Sequence, residues 1–181
     1  MTLFTRKDTE KTERIYEGGI INLRVDTLTG PGGRKIKREF VEHNGGVVIA
    51  CRPKPDQIIL IKQYRYCVDE VLYELPAGRL EAGEEPLAAA KRELLEETGY
   101  EAKSWRELAP MYTAPGFCNE MLYLYEASDV RFVATNPDED EEIEVLEMPL
   151  TEAWALITAG KVRDAKTIAG VGMLLVAQQS Q

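Results

Sequence analysis

Histidine is nearly absent: His43 is the one imidazole in 181 residues. Standing before Asn44-Gly45-Gly46, it reads as a turn residue rather than a catalyst. Cysteine is scarce and odd in number, with Cys51, Cys67 and Cys118 and no CxxC spacing. This argues against a disulfide framework or a zinc site and points to reduced thiols in a cytosolic protein. Long apolar runs are missing too, so nothing approaches the ~20 residues of a membrane span. The opening stretch MTLFTRKDTEKTER is polar and lacks the apolar centre of a secretory signal. Basic residues are in deficit, 22 Lys and Arg against 31 Asp and Glu, for a net charge of −9. No basic stripe therefore invites nucleic acid or a membrane surface. An acidic protein that acts on an anion needs cations between the two.

What remains is ordinary in bulk, with 44% hydrophobic and 29% charged residues, enough for one domain and a small appended element. The first forty-odd residues alternate in short bursts, RIYEGG, IINLRVDTLT and KREFVEHN, with Gly30-Pro31-Gly32-Gly33 as a turn. Two or three antiparallel strands are expected there. So small a sheet is marginal by itself and must pack on the rest of the chain or on a partner subunit. GGVVIACRP and DQIILIKQYRY read as a hairpin joined through Pro53 to Asp56. VLYELPAG is a further strand, SWRELAPMY and EMLYLYEASDV flank a loop from Thr113 to Glu120, and EEIEVLEMPL is the last strand. TEAWALITAG reads as a short helix capped around Thr151 and closed by Gly160, and AKTIAGVGMLLVAQQ as a C-terminal helix. The expected class is α/β with a mixed sheet and few helices.

Most of the chemistry lies in Gly78 to Tyr100, GRLEAGEEPLAAAKRELLEETGY. Pro86 suits a first helical turn and Gly99 a helix end that needs positive φ. On that helix Glu93 and Glu97 stand roughly 40° apart, with Glu96 about 60° to the other side of Glu93. Three carboxylates thus share one face within a turn, while Leu87, Ala90 and Leu94 form an apolar stripe for a sheet. Like charges so spaced weaken an isolated helix by a few tenths of a kcal/mol per pair, about 0.2–0.5. Divalent cations remove that conflict, and Mg²⁺ favours a few carboxylates plus substrate phosphate.

The segment resembles the Nudix box, G-x5-E-x7-R-E-U-x-E-E-x-G-U, at every defined position, with Leu94 and Tyr100 in the bulky apolar U places. The resemblance implies an α/β/α sandwich in which the box forms a loop–helix–loop, and hydrolysis of a diphosphate linkage. It implies Glu93, Glu96 and Glu97 as metal ligands, helped by the carbonyl of Ala77, with Mg²⁺ as cofactor and Mn²⁺ as substitute. Arg92 is expected to orient the glutamates by forked hydrogen bonds. Glu84 is expected to support the loop, whereas Glu81 and Glu85 read as solvated.

A base is also needed, and Pro137 to Glu142 supplies an acidic run before the strand beginning at Ile143. The chain is similar to the ADP-ribose pyrophosphatase branch of the family, which carries a catalytic glutamate in a loop at this place. Alignment on Ile143 implies Glu139 as base and Glu141 as a further metal contact, with Glu142 a rival for the base. Pro115, fifteen residues past Tyr100 and followed by Gly116, resembles the proline that marks this branch. It is also a Pro-Gly turn in any case. Arg65 and Arg79 are then candidate phosphate or ribose contacts, and Arg38 a contact reaching across a dimer interface. Tyr16, Phe40, Tyr64 and Tyr112 are available to stack on adenine. The resemblance further implies residues 1–43 as a dimerisation sheet and 44–181 as the hydrolase domain. A cytoplasmic homodimer that cleaves ADP-ribose to AMP and ribose 5-phosphate is the expectation, with no nucleic-acid or membrane partner. A hydrolase of another nucleotide sugar such as GDP-mannose, or a silent nucleotide-binding module, is the alternative.

Overall fold

The alternating bursts at the front of the chain form strands, as their patterning predicts. β1 (Thr9–Glu17), β2 (Ile21–Thr29) and β3 (Lys35–His43) make an antiparallel sheet in that order, with Glu13 opposite Val25 and Val25 opposite Glu39. The computed structural model describes residues 4–134 and 143–179. It divides into two compact units, Met1–Gly45 with Tyr112–Met121, and Gly46–Met111 with Leu122–Gln181.

In the first unit only Asp26 and Leu28 of the three strands are buried. Ion pairs stand in for a core: Arg24 and Arg14 both reach Glu42, and Asp26 accepts Arg24 Nε at 3.2 Å and the Thr12 hydroxyl at 2.7 Å. The Arg24 and Arg6 guanidinium groups lie over the Phe40 ring, 4.3 and 4.9 Å from its centre. The expected boundary at residue 43 missed one part of this unit. The segment Tyr112–Met121 is tied to β3 by Val41 N–H to Phe117 O (2.8 Å), Asn119 N–H to Val41 O (3.3 Å) and His43 N–H to Asn119 Oδ1 (2.9 Å).

The second unit holds two sheets. β4 (Gly46–Cys51) runs antiparallel to β7 (Ala77–Arg79) and parallel to β9 (Met121–Phe132), which neighbours β8 (Tyr100–Tyr112). β5 (Gln57–Arg65) lies between β10 (Ile143–Pro149) and β6 (Glu70–Glu74), antiparallel to both. The expected hairpin of GGVVIACRP and DQIILIKQYRY is therefore a correction: its strands enter different sheets. VLYELPAG is likewise split into β6 and β7 around Leu75-Pro76, where proline offers no N–H to a ladder.

Strand parity sorts the core into two layers. Val47, Ile49 and Cys51 face one way, with Ile59, and pack with Ala89, Ala90 and Leu94 of α1 (Pro86–Thr98). Val48 and Ala50 face the other way and pack with residues of α2 (Leu150–Thr158) and α3 (Ala165–Gln179). The result is a mixed α/β sandwich with helices on both sides. Leu87 departs from the expected stripe, since in the first turn of α1 it stands 37% exposed and Ala89 takes its place in the core. At α2, Pro149 rather than Thr151 is the capping residue and no side chain caps the helix. Gly160 follows with φ 70°, closing the helix as its position predicts.

Candidate active site

α1 ends at Gly99, whose φ of 74° lets its N–H reach the Leu95 carbonyl at 2.9 Å. The helix presents Arg92, Glu93, Glu96 and Glu97 on the side next to β7. Arg92 is the organiser. Its Nε and Nη2 donate to the two oxygens of Glu84, both at 3.1 Å, and Nη1 donates to Glu93 at 2.8 Å and Glu96 at 2.9 Å. Nη2 also reaches the Arg79 carbonyl at 3.2 Å. One planar guanidinium thus ties the loop before the helix to two carboxylates on it, a use that its fixed fork suits and an ammonium would not.

Glu84 locks its own loop as well, accepting the Glu81 N–H at 3.1 Å while its N–H returns to the Glu81 carbonyl at 3.1 Å. The Arg92 fork, followed by that backbone bond, holds the Glu84 carboxyl below the usual range. Glu84, Glu93 and Glu96 in turn hold the Arg92 guanidinium above its ordinary value, Glu84 contributing most. Glu97 is 4% exposed, and its Oε2 accepts the Ala77 N–H at 2.9 Å. Ala77 and Gly78 are the β7 residues opposite Val48 and Val47 of β4, so the site stands on a paired strand.

Whether these residues suit a divalent ion is tested by the donor chemistry and by Gly78. A Cβ on Gly78 would lie 1.8 Å from the Glu93 carboxyl carbon, so that carboxylate occupies the space a side chain would fill. Glu93 and Glu96 both converge on a single cationic nitrogen of Arg92. Hard anionic oxygens gathered around one positive charge are the donor type that Mg²⁺ and Mn²⁺ take. Among the described residues no three His, Cys, Asp or Glu side chains are gathered so that they could hold an ion as they stand. The residues fit such an ion as an open set, with Arg92 holding two of the carboxylates.

The structure brings Ala77, Arg92, Glu93, Glu96 and Glu97 together, with the Arg79 backbone beside them. The Arg79 side chain is exposed. Arg65 gives Nε and Nη2 to Glu74, each at 2.7 Å, a partner nine residues along the chain that the sequence did not single out. Arg38, exposed on β3, and Pro115-Gly116 belong to the first unit. The latter pair forms the expected turn, with Phe117 and Cys118 N–H groups on the Ala114 carbonyl at 3.1 and 2.9 Å. In the same unit His43 Nδ1 accepts the Gly45 N–H at 2.9 Å, as suits a turn residue. Glu139, Glu141 and Glu142 lie outside the described residues. Cys51 is buried, and burial pushes its thiol up to about 12, whereas Cys67 is exposed. Among the described residues no helix is long and apolar enough to cross a membrane.

A helix-borne carboxylate set locked by one arginine, on a sheet covered by helices on both sides, is the arrangement of a Nudix fold. Residues 42–171 match the family model of the NUDIX domain, and the chain belongs to that family. It is 38% identical over 177 residues to the ADP-ribose pyrophosphatase of Bacillus subtilis (strain 168), covering 95% of this chain and 96% of the relative. It is 39% identical over 174 residues to the methanol dehydrogenase activator of Bacillus methanolicus, covering 95% and 94%. The GDP-mannose pyrophosphatase of Citrobacter koseri is 38% identical over 159 residues, 81% of this chain and 82% of that one. The crystal structure of an ADP compounds hydrolase superposes with a TM-score of 0.84 at 21% identity, covering 96% of this chain and 94% of the other, a likeness of fold.

Proposed function

We propose that this protein is a Mg²⁺-dependent hydrolase of nucleoside diphosphate sugars that cleaves ADP-ribose to AMP and ribose 5-phosphate. The observation that carries the reading is the Arg92 lock, which holds Glu84, Glu93 and Glu96 in one cluster beside the Glu97–Ala77 contact. Relatives named ADP-ribose pyrophosphatase, from Bacillus subtilis and Mycobacterium tuberculosis, match 95% and 91% of this chain against 81% for the GDP-mannose pyrophosphatase, and this favours ADP-ribose as substrate.

Glu93, Glu96, Glu97 and the Ala77 carbonyl would hold the ion, with Glu141 as a further ligand. A bound divalent cation supplies charge neutralisation at the phosphoryl oxygens and a more acidic water. The rest belongs to the chain. Arg92 keeps the carboxylates aimed, so little reorganisation is needed when substrate arrives. Glu139 takes the proton from the attacking water. Arg65, Arg79 and, from a partner subunit, Arg38 hold phosphate or ribose, and Pro115-Gly116 shapes the substrate loop. The working form is a cytoplasmic homodimer built through residues 1–43.

The deciding experiment is turnover of a panel of diphosphate-linked nucleotides with and without Mg²⁺, products identified by mass. ADP-ribose is expected to be cleaved fastest and only with the ion. Faster cleavage of GDP-mannose would displace the substrate and leave the chemistry. A second reading, a regulatory module for another enzyme, is favoured by the 39% identity to a methanol dehydrogenase activator. Absence of turnover on the whole panel, with tight nucleotide binding, would select it.

A further inference from the structure

Three residues before the amide that Glu97 binds, the chain buries a second carboxylate. Glu74 is 1% exposed and receives Arg65 Nε and Nη2 at 2.7 Å each and the Lys166 ammonium. Lys166 also lies 3.0 Å from Asp164 Oδ1. Asp164 Oδ2 accepts the Thr167 amide at 3.0 Å and the Thr167 hydroxyl at 2.6 Å, capping the first turn of α3. The fully buried Thr167 oxygen then accepts the Leu75 N–H at 2.7 Å. Pro76 O accepts the Ile49 N–H at 2.8 Å, and Ala77 N–H reaches Glu97 at 2.9 Å.

Every residue from Glu74 to Ala77 thus has a hydrogen-bond partner on another element: β5 and α3, then α3, then β4, then α1. Gly170, one turn further along α3, packs against the same residue: a Cβ there would lie 2.5 Å from Leu75 Cδ1. α3 is thus joined to Leu75 both by the Thr167 hydrogen bond and by packing at Gly170. Two residues of extended chain span about 7 Å, too short to absorb a displacement before Ala77. A buried carboxylate with charged partners is also costly to rearrange, since removing one partner leaves an uncompensated charge.

We infer that Lys166 and Thr167, in the first turn of the C-terminal helix, are positioning residues for the ion site: they lock Glu74–Ala77 so that the Ala77 peptide meets the Glu97 carboxylate. The inference rests on the proposal that Glu97 and its neighbours hold a divalent ion. Outer partners that orient ligands change metal affinity by about 10- to 100-fold when removed.

The test measures Mn²⁺ binding to the full-length protein by electron paramagnetic resonance, without substrate, together with hydrogen exchange at the Ala77 amide. Thr167→Val is expected to weaken Mn²⁺ binding by about tenfold and to speed exchange at Ala77. Thr167→Ser, which keeps the hydroxyl, is expected to restore both. Leu156→Ala, a packing change on α2, is expected to lower Tm and leave the Mn²⁺ affinity unchanged. If Thr167→Val does not fold, Lys166→Met is put through the same measurements with the same expectation. Wild-type Mn²⁺ affinity and Ala77 exchange in these variants would overturn the inference, as would an equal Mn²⁺ loss in Leu156→Ala. Wild-type protein that binds Mn²⁺ but cleaves no diphosphate would sink the proposed activity alone. Wild-type protein that binds no Mn²⁺ would sink both.

Discussion

Arg92 makes five hydrogen bonds to four groups, through three nitrogens whose directions are set by one plane. Lysine retains the charge but not the fork, so Arg92→Lys is expected to lower kcat/KM at least tenfold, about 1.4 kcal/mol, with Tm little changed. Steady-state kinetics beside a thermal melt checks this. Glu97→Gln keeps an oxygen to accept from Ala77 but gives up the charge, and a loss of 10²-fold or more in kcat, roughly 3 kcal/mol, is expected with Mg²⁺ saturating. Among the acidic residues before Ile143, Glu139→Gln should cost about 10²-fold or more and Glu141→Gln and Glu142→Gln less. Equal modest effects at all three would remove Glu139 as base. These side chains were legible in the sequence because the reaction demands particular groups at particular intervals. The partner of Lys166 was not, for Glu74 and Lys166 lie 92 residues apart and nothing local announces their meeting.

At the scale of elements, β7 and α1 face each other so that the Glu93 carboxylate fills the space a methyl group on Gly78 would take. Gly78→Ala is expected to displace Glu93 and weaken divalent-ion binding by about tenfold or more, measured by Mn²⁺ titration of folded protein. The junction of β6 with α3 carries a pH dependence. Burial pushes the Glu74 carboxyl up, but Arg65 and Lys166 outweigh it, so its folded value lies below the ordinary 4.5. A lowered folded value means stability that is fully present above about pH 4.5 and is lost as pH falls through the folded value. Tm should therefore fall as pH drops below about 4.5, and less so in Glu74→Gln. Period and punctuation revealed α1, α2 and α3 and a front sheet of two or three strands, of which the structure has three. They did not reveal that β4 and β5 part company, because both are buried on two faces and parity alone does not choose a neighbour.

For the whole molecule, the first unit poses the physical question. Its three strands bury only Asp26 and Leu28, and Ile15, Tyr16 and Ile20 stand 57%, 57% and 59% exposed. A three-stranded sheet with so small a core is marginal in isolation. Sedimentation equilibrium is expected to give twice the 20.4 kDa chain mass, and removal of residues 1–43 to give a monomer. A wild-type monomer at micromolar concentration would overturn the dimer. The sequence anticipated this unit through its alternation, but not that Tyr112–Met121 would join it, since that pairing links β3 to a segment 76 residues downstream.

The guanidinium between Glu93 and Glu96 gives the box helix an internal countercharge. A protein so built is expected to stay folded without a divalent ion. Stripping with a chelator should silence it with scarcely any change in melting temperature, and adding Mg²⁺ back should revive it within the mixing time, making the enzyme a reversible reporter of free divalent ion.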